Sequence, residues 1–584
     1  MTSEEKEILE TKSAIAADTK KKKKKKKKKN KNNNRKVVNE LPSPTFPTLE
    51  ESEVEVSITS NGRHAVAKHA ISRGSVLLAE RPTCNPLIRA RYAQEICANC
   101  LNPCDTTYKC STCGLVVYCS SQCQAQFAHI HDLECKLTTR LPSICTQGDV
   151  DLDLIRLASR VCLCRELSDY SKEEYTRIEN LLTHQNQFTS AWSSTVFDVC
   201  ETVSDLLKSK GFLPMKSRTF VENTTSDMLF GLCCRINVNS YGYRDDSNAD
   251  IAIAVLANMG AVVNHSCCPS AVFNAHGPTM QIRALRNLEQ GEEISISYID
   301  LFQSRSARVS ELQATKFFTC KCKRCTSSLR SSVDRKLNSF LCSDPDCTGI
   351  YIPVSGIETS NSGLKPLEDE KKQNELDNHT LFECDECGGN VDGGIIQKNQ
   401  TRLHLLLQDA ERCYSERQLL PAIKAFETLL TTFTTESKKT NVLKKRTRHK
   451  PIDLSKHNIA NNVDLIACPL HESILQAHCK LVNLKDAQDK LEDSVKYLKV
   501  IVASLEQVLP SFHAEIGVYL YHLGDRLSQL AVKQGLNRRK QGEYKQQAIT
   551  VFTKCKEIRV TNRGQEHSSV SEAVQRLAQL QAPH

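Results

Sequence analysis

An α+β fold is predicted for this chain of 584 residues, and three observations predict it. Short runs in which apolar and polar residues alternate occur at 53–78 and return between 251 and 300, as strands require. Apolar residues at three- and four-residue spacing fill 150–235 and the chain from about 400 onward, as helices require. Between the first strands and the first helices lie eight metal-type residues, too dense for chance and too short for a large domain of their own.

The strands come first. Val54, Val56 and Ile58 alternate with polar residues, Asn61-Gly62 makes a turn, and Ala65-Val66-Ala67 and Val76-Leu77-Leu78 read as short strands around the turn Arg73-Gly74. In the helical stretch that follows, Leu152, Ile155 and Leu157, then Ile178, Leu181 and Leu182, mark the buried face. Strands return at Met280 to Arg283 and Ile294 to Tyr298, separated by the turn Gln290-Gly291. Further on, Ala422 and Phe426 share a helix face, with Tyr414 two turns earlier, and the segment from Gly517 to Gly524 is followed by Ala548, Val551 and Phe552. That pattern fits paired-helix repeats of ~34 residues or an ordinary helical bundle. The Gly/Ser/Glu-rich stretch 355–378 and the basic stretch 437–456 read as loops.

Charge is unevenly placed. Residues 1–50 hold 15 Lys or Arg against 7 Asp or Glu, so +8 of the net +10 lies there. Most of that excess is the unbroken run from Lys20 to Lys29. Such a block repels itself and stays disordered. It reads either as a nuclear-import or anion-binding tail or as a low-complexity expansion without a role. The near-neutral remainder argues against a broad nucleic-acid face and leaves any such contact to the tail. The start MTSEEKEILE lacks an apolar core, so no secretory signal is expected. The longest apolar stretch, about 251–263, falls short of the ~20 residues a bilayer span needs, so no membrane partner is expected. With 28 cysteines and no export signal, metal binding is expected over disulfides, in the cytoplasm, the nucleus or both.

The eight residues run C-x2-C, C-x2-C, C-x3-C, H-x3-C. Alternating pairs assign Cys97, Cys100, Cys119 and Cys123 to one zinc ion, and Cys110, Cys113, His131 and Cys135 to a second. His129 is the alternative to His131, but the four-residue offset to Cys135 favours His131. Four protein ligands close each ion, so both sites are structural. Cys320, Cys322 and Cys325 offer three ligands to a third ion, and Cys267 is the best fourth, ahead of Cys268 or Cys342. Cys342, Cys347, Cys384 and Cys387 read as a zinc ribbon around a long loop, which would add a fourth ion. The 13 other cysteines, Cys162 and Cys233 among them, are expected to be small buried hydrophobes.

Four further pieces stand in a fixed order. They are Asn61-Gly62 with Ala65; Asn264-His265-Ser266-Cys267-x-Pro269; Gly291-Glu292-Glu293-Ile294-x3-Tyr298-x-Asp300; and Phe318-x-Cys320-x-Cys322-x2-Cys325. The double zinc cluster resembles a MYND finger. With these pieces around it, the chain resembles the SET-and-MYND (SMYD-type) protein lysine methyltransferases over about 50–330 and, more loosely, through the helical C-terminus. The resemblance implies a split SET domain of short β-sheets with an inserted MYND finger and a helical insert, a cysteine-rich post-SET segment and an α-helical TPR-like C-terminal domain. The boundaries expected are a tail at 1–50, SET parts at 51–96 and 236–302, and the finger at 97–135. The helical insert follows at 136–235, post-SET at 303–330, the ribbon at 338–395 and the C-terminal domain at 400–584.

The resemblance also implies S-adenosylmethionine as the methyl donor and a protein lysine, histone or non-histone, as acceptor. By the same resemblance, Tyr298 is expected to be the central catalytic residue. Asn61, Gly62, Asn239, Asn264, His265, Tyr298 and Phe318 match cofactor-contacting positions, and Tyr241 matches a wall of the lysine channel. A proline-containing peptide is the ligand implied for the finger, and a monomer is expected. A non-catalytic zinc adaptor, recruiting partners through the finger and the C-terminal helices, is the alternative from another functional class. Three positions depart from the family pattern. Ser60 stands where glycine is common, Ser270 follows Pro269 where asparagine is usual, and Lys316 occupies a position often held by a channel tyrosine. A cation in that channel would repel a substrate ammonium and remove an aromatic wall, unless Lys316 points outward.

Overall fold

A computed structural model describes residues 52–59, 62–82, 84–104, 108–165, 167–209, 212, 224–245, 249–354, 381–434 and 463–582. The tail, Ser60, Asn61 and the loops 355–378 and 437–456 lie outside the described residues. In chain order the first strands are β1 (Val54–Thr59), β2 (Gly62–Ala67), β3 (Val76–Glu80) and β4 (Leu87–Ile88). The finger contributes β5 (Tyr108–Lys109) and β6 (Val117–Tyr118). Helices α1 (Ser121–Gly148), α2 (Leu152–Cys164), α3 (Asp169–Glu179), α4 (Ser190–Lys208) and α5 (Ser226–Asn239) follow. Then come β7 (Ser240–Arg244), β8 (Asp250–Val255), β9 (Asn264–His265), β10 (Ala271–His276), β11 (Thr279–Ala284) and β12 (Glu293–Ile296).

The register of these strands makes the domain discontinuous. β2 pairs antiparallel with β12, β3 with β11, and β4 with β8, so early strands need partners some 200 residues later. The finger and the helices are therefore looped out between strands of one domain. β9 lies parallel to β12, with Asn264 opposite Ser295 and His265 opposite Ile296. Parallel strands need a crossover connection, and here β10 and β11 make it. The apolar face of these sheets packs Ala65, Leu77, Ile282, Ile294 and Ile296 into one core, and each large side chain so buried contributes about 1.5–3 kcal/mol.

Two sequence expectations are corrected. Strand β12 ends at Ile296 rather than running to Tyr298, because the Ser297 hydroxyl donates to the Ile299 carbonyl (2.7 Å) and turns the chain. Helix α3 stops at Glu179, so Leu181 and Leu182 lie beyond it, Leu181 buried and Leu182 70 % exposed. The finger also has no break at its expected end, since α1 begins inside the ligand set and continues to Gly148. The insert shares one core with the finger and with β4 and β8, and in it Cys162 and Cys233 are fully buried, as small hydrophobes should be.

The rest of the chain is α6 (Arg305–Lys316), α7 (Lys323–Thr326), a small sheet of β13 (Tyr351–Pro353), β14 (Leu381–Cys384) and β15 (Asn390–Asp392), and then helices alone. These are α8 (Gly393–Ser415), α9 (Leu419–Phe433), α10 (Glu472–Ala487), α11 (Leu491–Val508), α12 (Ala514–Ala531), α13 (Arg538–Arg563) and α14 (Ser568–Gln581). They pack as successive pairs, with Ala422, Phe426, Ala548 and Phe552 fully buried on the faces the sequence marks. Gly524 permits a close approach of α12 to α13, because a Cβ there would lie 2.9 Å from the Phe552 ring. Among the described residues no helix is long and apolar enough to cross a membrane.

Candidate active site

Four sets of candidate metal ligands form among the described residues, and one of them borders the site. In each, the four candidate donor atoms lie within 4.8 Å of one another: Cys97, Cys100, Cys119, Cys123; Cys110, Cys113, His131, Cys135; Cys267, Cys320, Cys322, Cys325; and Cys342, Cys347, Cys384, Cys387. Representative sulfur–sulfur distances are 3.6 Å for Cys100–Cys119, 3.7 Å for Cys110–Cys135 and 3.5 Å for Cys267–Cys325. A tetrahedral ion with metal–sulfur bonds of ~2.3 Å has edges of about 3.8 Å, so the sets fit zinc. His131 rather than His129 completes the second set, and Cys267 rather than Cys268 completes the third. His131 presents Nε2 to Cys113 (3.5 Å), while Nδ1 faces the buried Glu134 carboxylate at 4.0 Å.

The third set abuts the β9–β12 crossing. His265 Nδ1 accepts the Tyr298 backbone N–H at 3.0 Å, so in the neutral ring Nε2 carries the proton and faces Cys267 Sγ at 3.3 Å. Burial pushes the imidazole down to about 4, which keeps it neutral. One ring thus links a sulfur of the post-SET set to the backbone of the candidate catalytic residue. The Tyr298 hydroxyl donates to the Val263 carbonyl (2.6 Å) and the Tyr241 hydroxyl to the Gly260 carbonyl (2.6 Å). Burial raises both phenols above their ordinary range, so both keep their protons. The Phe318 ring lies 6.0 Å from that of His265, and Asn264 Nδ2 donates to the Arg63 carbonyl (3.3 Å), tying β9 to the start of β2. Gly62 has φ +98°, with open space where a Cβ would project. Asn61 lies outside the described residues.

Two of the three departures from the family pattern, Lys316 and Ser270, lie within the described residues. Lys316 Nζ donates to the Val238 carbonyl (2.7 Å) at the C-terminus of α5, where a cation suits the helix dipole. Asn239, on the same turn, donates to the Leu182 and Arg235 carbonyls, so its amide links α5 to the end of α3. Phe317 sits in the left-handed region (φ +58°). That reversal sends Phe317 against Phe188 and His184 while Phe318 turns toward His265. Ser270 is buried, accepting the Ser295 N–H (2.9 Å) and donating to the Glu293 carbonyl (3.1 Å), so the serine locks β12 in register. A cleft of about 360 Å³ opens beside this assembly, between Val56 and Arg63 on one wall, Arg177 and Asn180 on another, and Asn258 and Val262 on the third. Arg177 and Asn180 belong to the helical insert, and no motif marks them.

The family model described as SET domain matches residues 62–299. Its match brackets the finger and the helices as well as the β9–β12 crossing. Residues 62–299 are thus similar to a SET domain. It is 25 % identical over 281 residues to N-lysine methyltransferase SMYD2 of Gallus gallus, covering 48 % of this chain and 60 % of that protein. It is 25 % identical over 249 residues to SMYD2 of Homo sapiens, covering 43 % and 54 %. Histone-lysine N-methyltransferase ASHR1 of Arabidopsis thaliana matches at 24 % over 306 residues, covering 51 % and 60 %. The chain thus spans little more than half the length of these curated relatives.

The SET domain meets the C-terminal helices just beyond Tyr298. Burial first, and the Asp300 charge second, push the Glu515 carboxyl on α12 up to about 7, with Arg244 pulling the other way. A carboxyl raised in the folded state contributes stability below its unfolded value and loses it as pH rises through the folded value. Stability should therefore fall between about pH 4.5 and about pH 7. Glu515→Gln is expected to flatten that decline and raise the melting temperature at pH 8, read from thermal unfolding at pH 5.5 and pH 8.

Proposed function

We propose that the chain is a protein-lysine N-methyltransferase that uses S-adenosylmethionine and acts on a lysine of a histone or non-histone protein. The observation that carries this reading is the meeting of Tyr298, Tyr241, His265 and Phe318 at the β9–β12 crossing. The neighbouring cleft, about 360 Å³, lies within the ~300–1,000 Å³ of small-molecule sites. The open space at Gly62 leaves room for a ligand to approach the backbone. When bound, S-adenosylmethionine supplies an electrophilic methyl group on a sulfonium. The residues proposed to hold it are Asn61, Gly62, Asn264, His265 and Phe318, with Asn239 at the insert side.

The acceptor lysine must react as a neutral amine, and an ammonium entering a channel walled by aromatic rings loses hydration, which lowers its pKa. Tyr241 and Tyr298 each spend the O–H on a backbone carbonyl, and each oxygen remains able to accept a hydrogen bond from the amine. Catalysis then consists of alignment and exclusion of water. The zinc-type sets have four protein ligands and no open position, which suits scaffolding. Calorimetry on the zinc-loaded full chain should detect S-adenosylmethionine binding, and a protein array should take up labelled methyl from it. Failure to bind would sink the reading.

A further inference from the structure

Glu80, the last residue of β3, is 7 % exposed and has no ion-pair partner among the described residues. A buried carboxylate without a counter-charge is costly and calls for a reason. Its Oε1 accepts the Asn258 N–H (2.9 Å) and its Oε2 the Gly260 N–H (2.9 Å). The turn it grips has two exits. The Gly260 carbonyl accepts the Tyr241 hydroxyl, and the Val263 carbonyl, three residues on, accepts the Tyr298 hydroxyl. The turn is also held from the insert, since Arg177 Nη1 donates to Asn258 Oδ1 (2.6 Å). The turn is tightly packed at Gly260: a Cβ there would lie 2.8 Å from the Leu256 side chain and 3.3 Å from Glu80 Oε2.

We propose that Glu80 is a positioning residue for the lysine channel, setting through one backbone turn where both the Tyr241 and the Tyr298 hydroxyls stand. It touches neither ring's hydroxyl; it fixes the carbonyls to which they are tied. The inference rests on the methyltransferase reading for its catalytic consequence, while the structural coupling can be read without activity. Glutamine at 80 keeps the shape and one acceptor oxygen but turns an N–H₂ toward the other backbone N–H, so the turn must shift. A misplacement of about 1 Å can cost ~100-fold in rate.

The test uses the zinc-loaded full chain labelled with 3-fluorotyrosine, with fluorine resonances assigned by Tyr241→Phe and Tyr298→Phe. In Glu80→Gln the Tyr241 and Tyr298 resonances are expected to move while that of the distant Tyr351 stays. The turnover number should fall about 10- to 100-fold with S-adenosylmethionine affinity retained. Should Glu80→Gln fail to fold, Glu80→Asp keeps the charge, is one methylene short, and is expected to shift both resonances by less. Unmoved tyrosine resonances, or moved resonances with an unchanged turnover number, overturn the inference. A wild-type chain that binds no S-adenosylmethionine overturns the functional reading instead, and the resonances still decide the coupling.

Discussion

Replacing Tyr298 by phenylalanine is expected to cut methyl transfer by about 100- to 1,000-fold, the scale of losing one placed polar group at a reacting centre. The ring should stay where it is. Its backbone N–H is held by His265, and its neighbours pack the rest. What disappears is the hydroxyl oxygen, the group proposed to orient the amine. The Val263 carbonyl also loses its partner, and an unpaired buried carbonyl costs about 1–3 kcal/mol unless water replaces it. Cofactor affinity should change little, since Asn264, His265 and the cleft walls are untouched. A split between a collapsed turnover number and a retained S-adenosylmethionine affinity, measured by labelled-methyl transfer and calorimetry, is the signature. Equal activity in wild type and Tyr298→Phe would remove Tyr298 from catalysis.

Much of this site was legible because its chemistry is local. Zinc ligands must be spaced to clasp one ion from a tight turn, so Cys97 through Cys135 declare themselves by spacing. Cys267, the candidate fourth ligand of the third set, and Asn264 and His265 beside it were legible as one group because they share one short motif. Strand ends were less so. The alternation from Ile294 to Tyr298 continues past Ile296, and only the Ser297 hydroxyl, bonding back to Ile299, breaks the strand. Leu182 kept helical spacing after its helix had ended. Glu80, Arg177 and Asn180 carry no motif at all, because they reach the site across the fold from β3 and the insert. A lysine in the channel's sequence position reads as a charge in the channel; here its Nζ donates to the Val238 carbonyl at the end of α5, a contact that no motif announces.

Asp334 should prove the costliest single residue to neutralise. Its side chain is wholly buried, as is that of Arg308, which grips both carboxylate oxygens at 3.0 and 2.7 Å. Arg324 adds a bond at 2.8 Å and Arg305 a longer one at 3.3 Å. These arginines tie α6 and the post-SET ligands to the chain that has just left Tyr298: Arg308 Nε reaches Cys267 Sγ (3.3 Å), and Arg324 donates to the Leu301 carbonyl (3.1 Å). Asp334→Asn keeps the shape but leaves two buried guanidiniums facing a neutral amide. Breaking a buried pair from one side costs about 3–5 kcal/mol, which urea unfolding of the zinc-loaded chain should register. Acid should mimic the substitution. Burial alone would raise this carboxyl, but Arg308 and Arg324 outweigh it and hold it below the usual range. A depressed carboxylate contributes stability above its unfolded value of about 3.8 and loses it as pH falls toward the folded value. The wild-type chain should therefore lose stability below about pH 4 more steeply than Asp334→Asn, which has already lost that charge. Parallel acid profiles in the two proteins would mean that the cluster contributes shape alone.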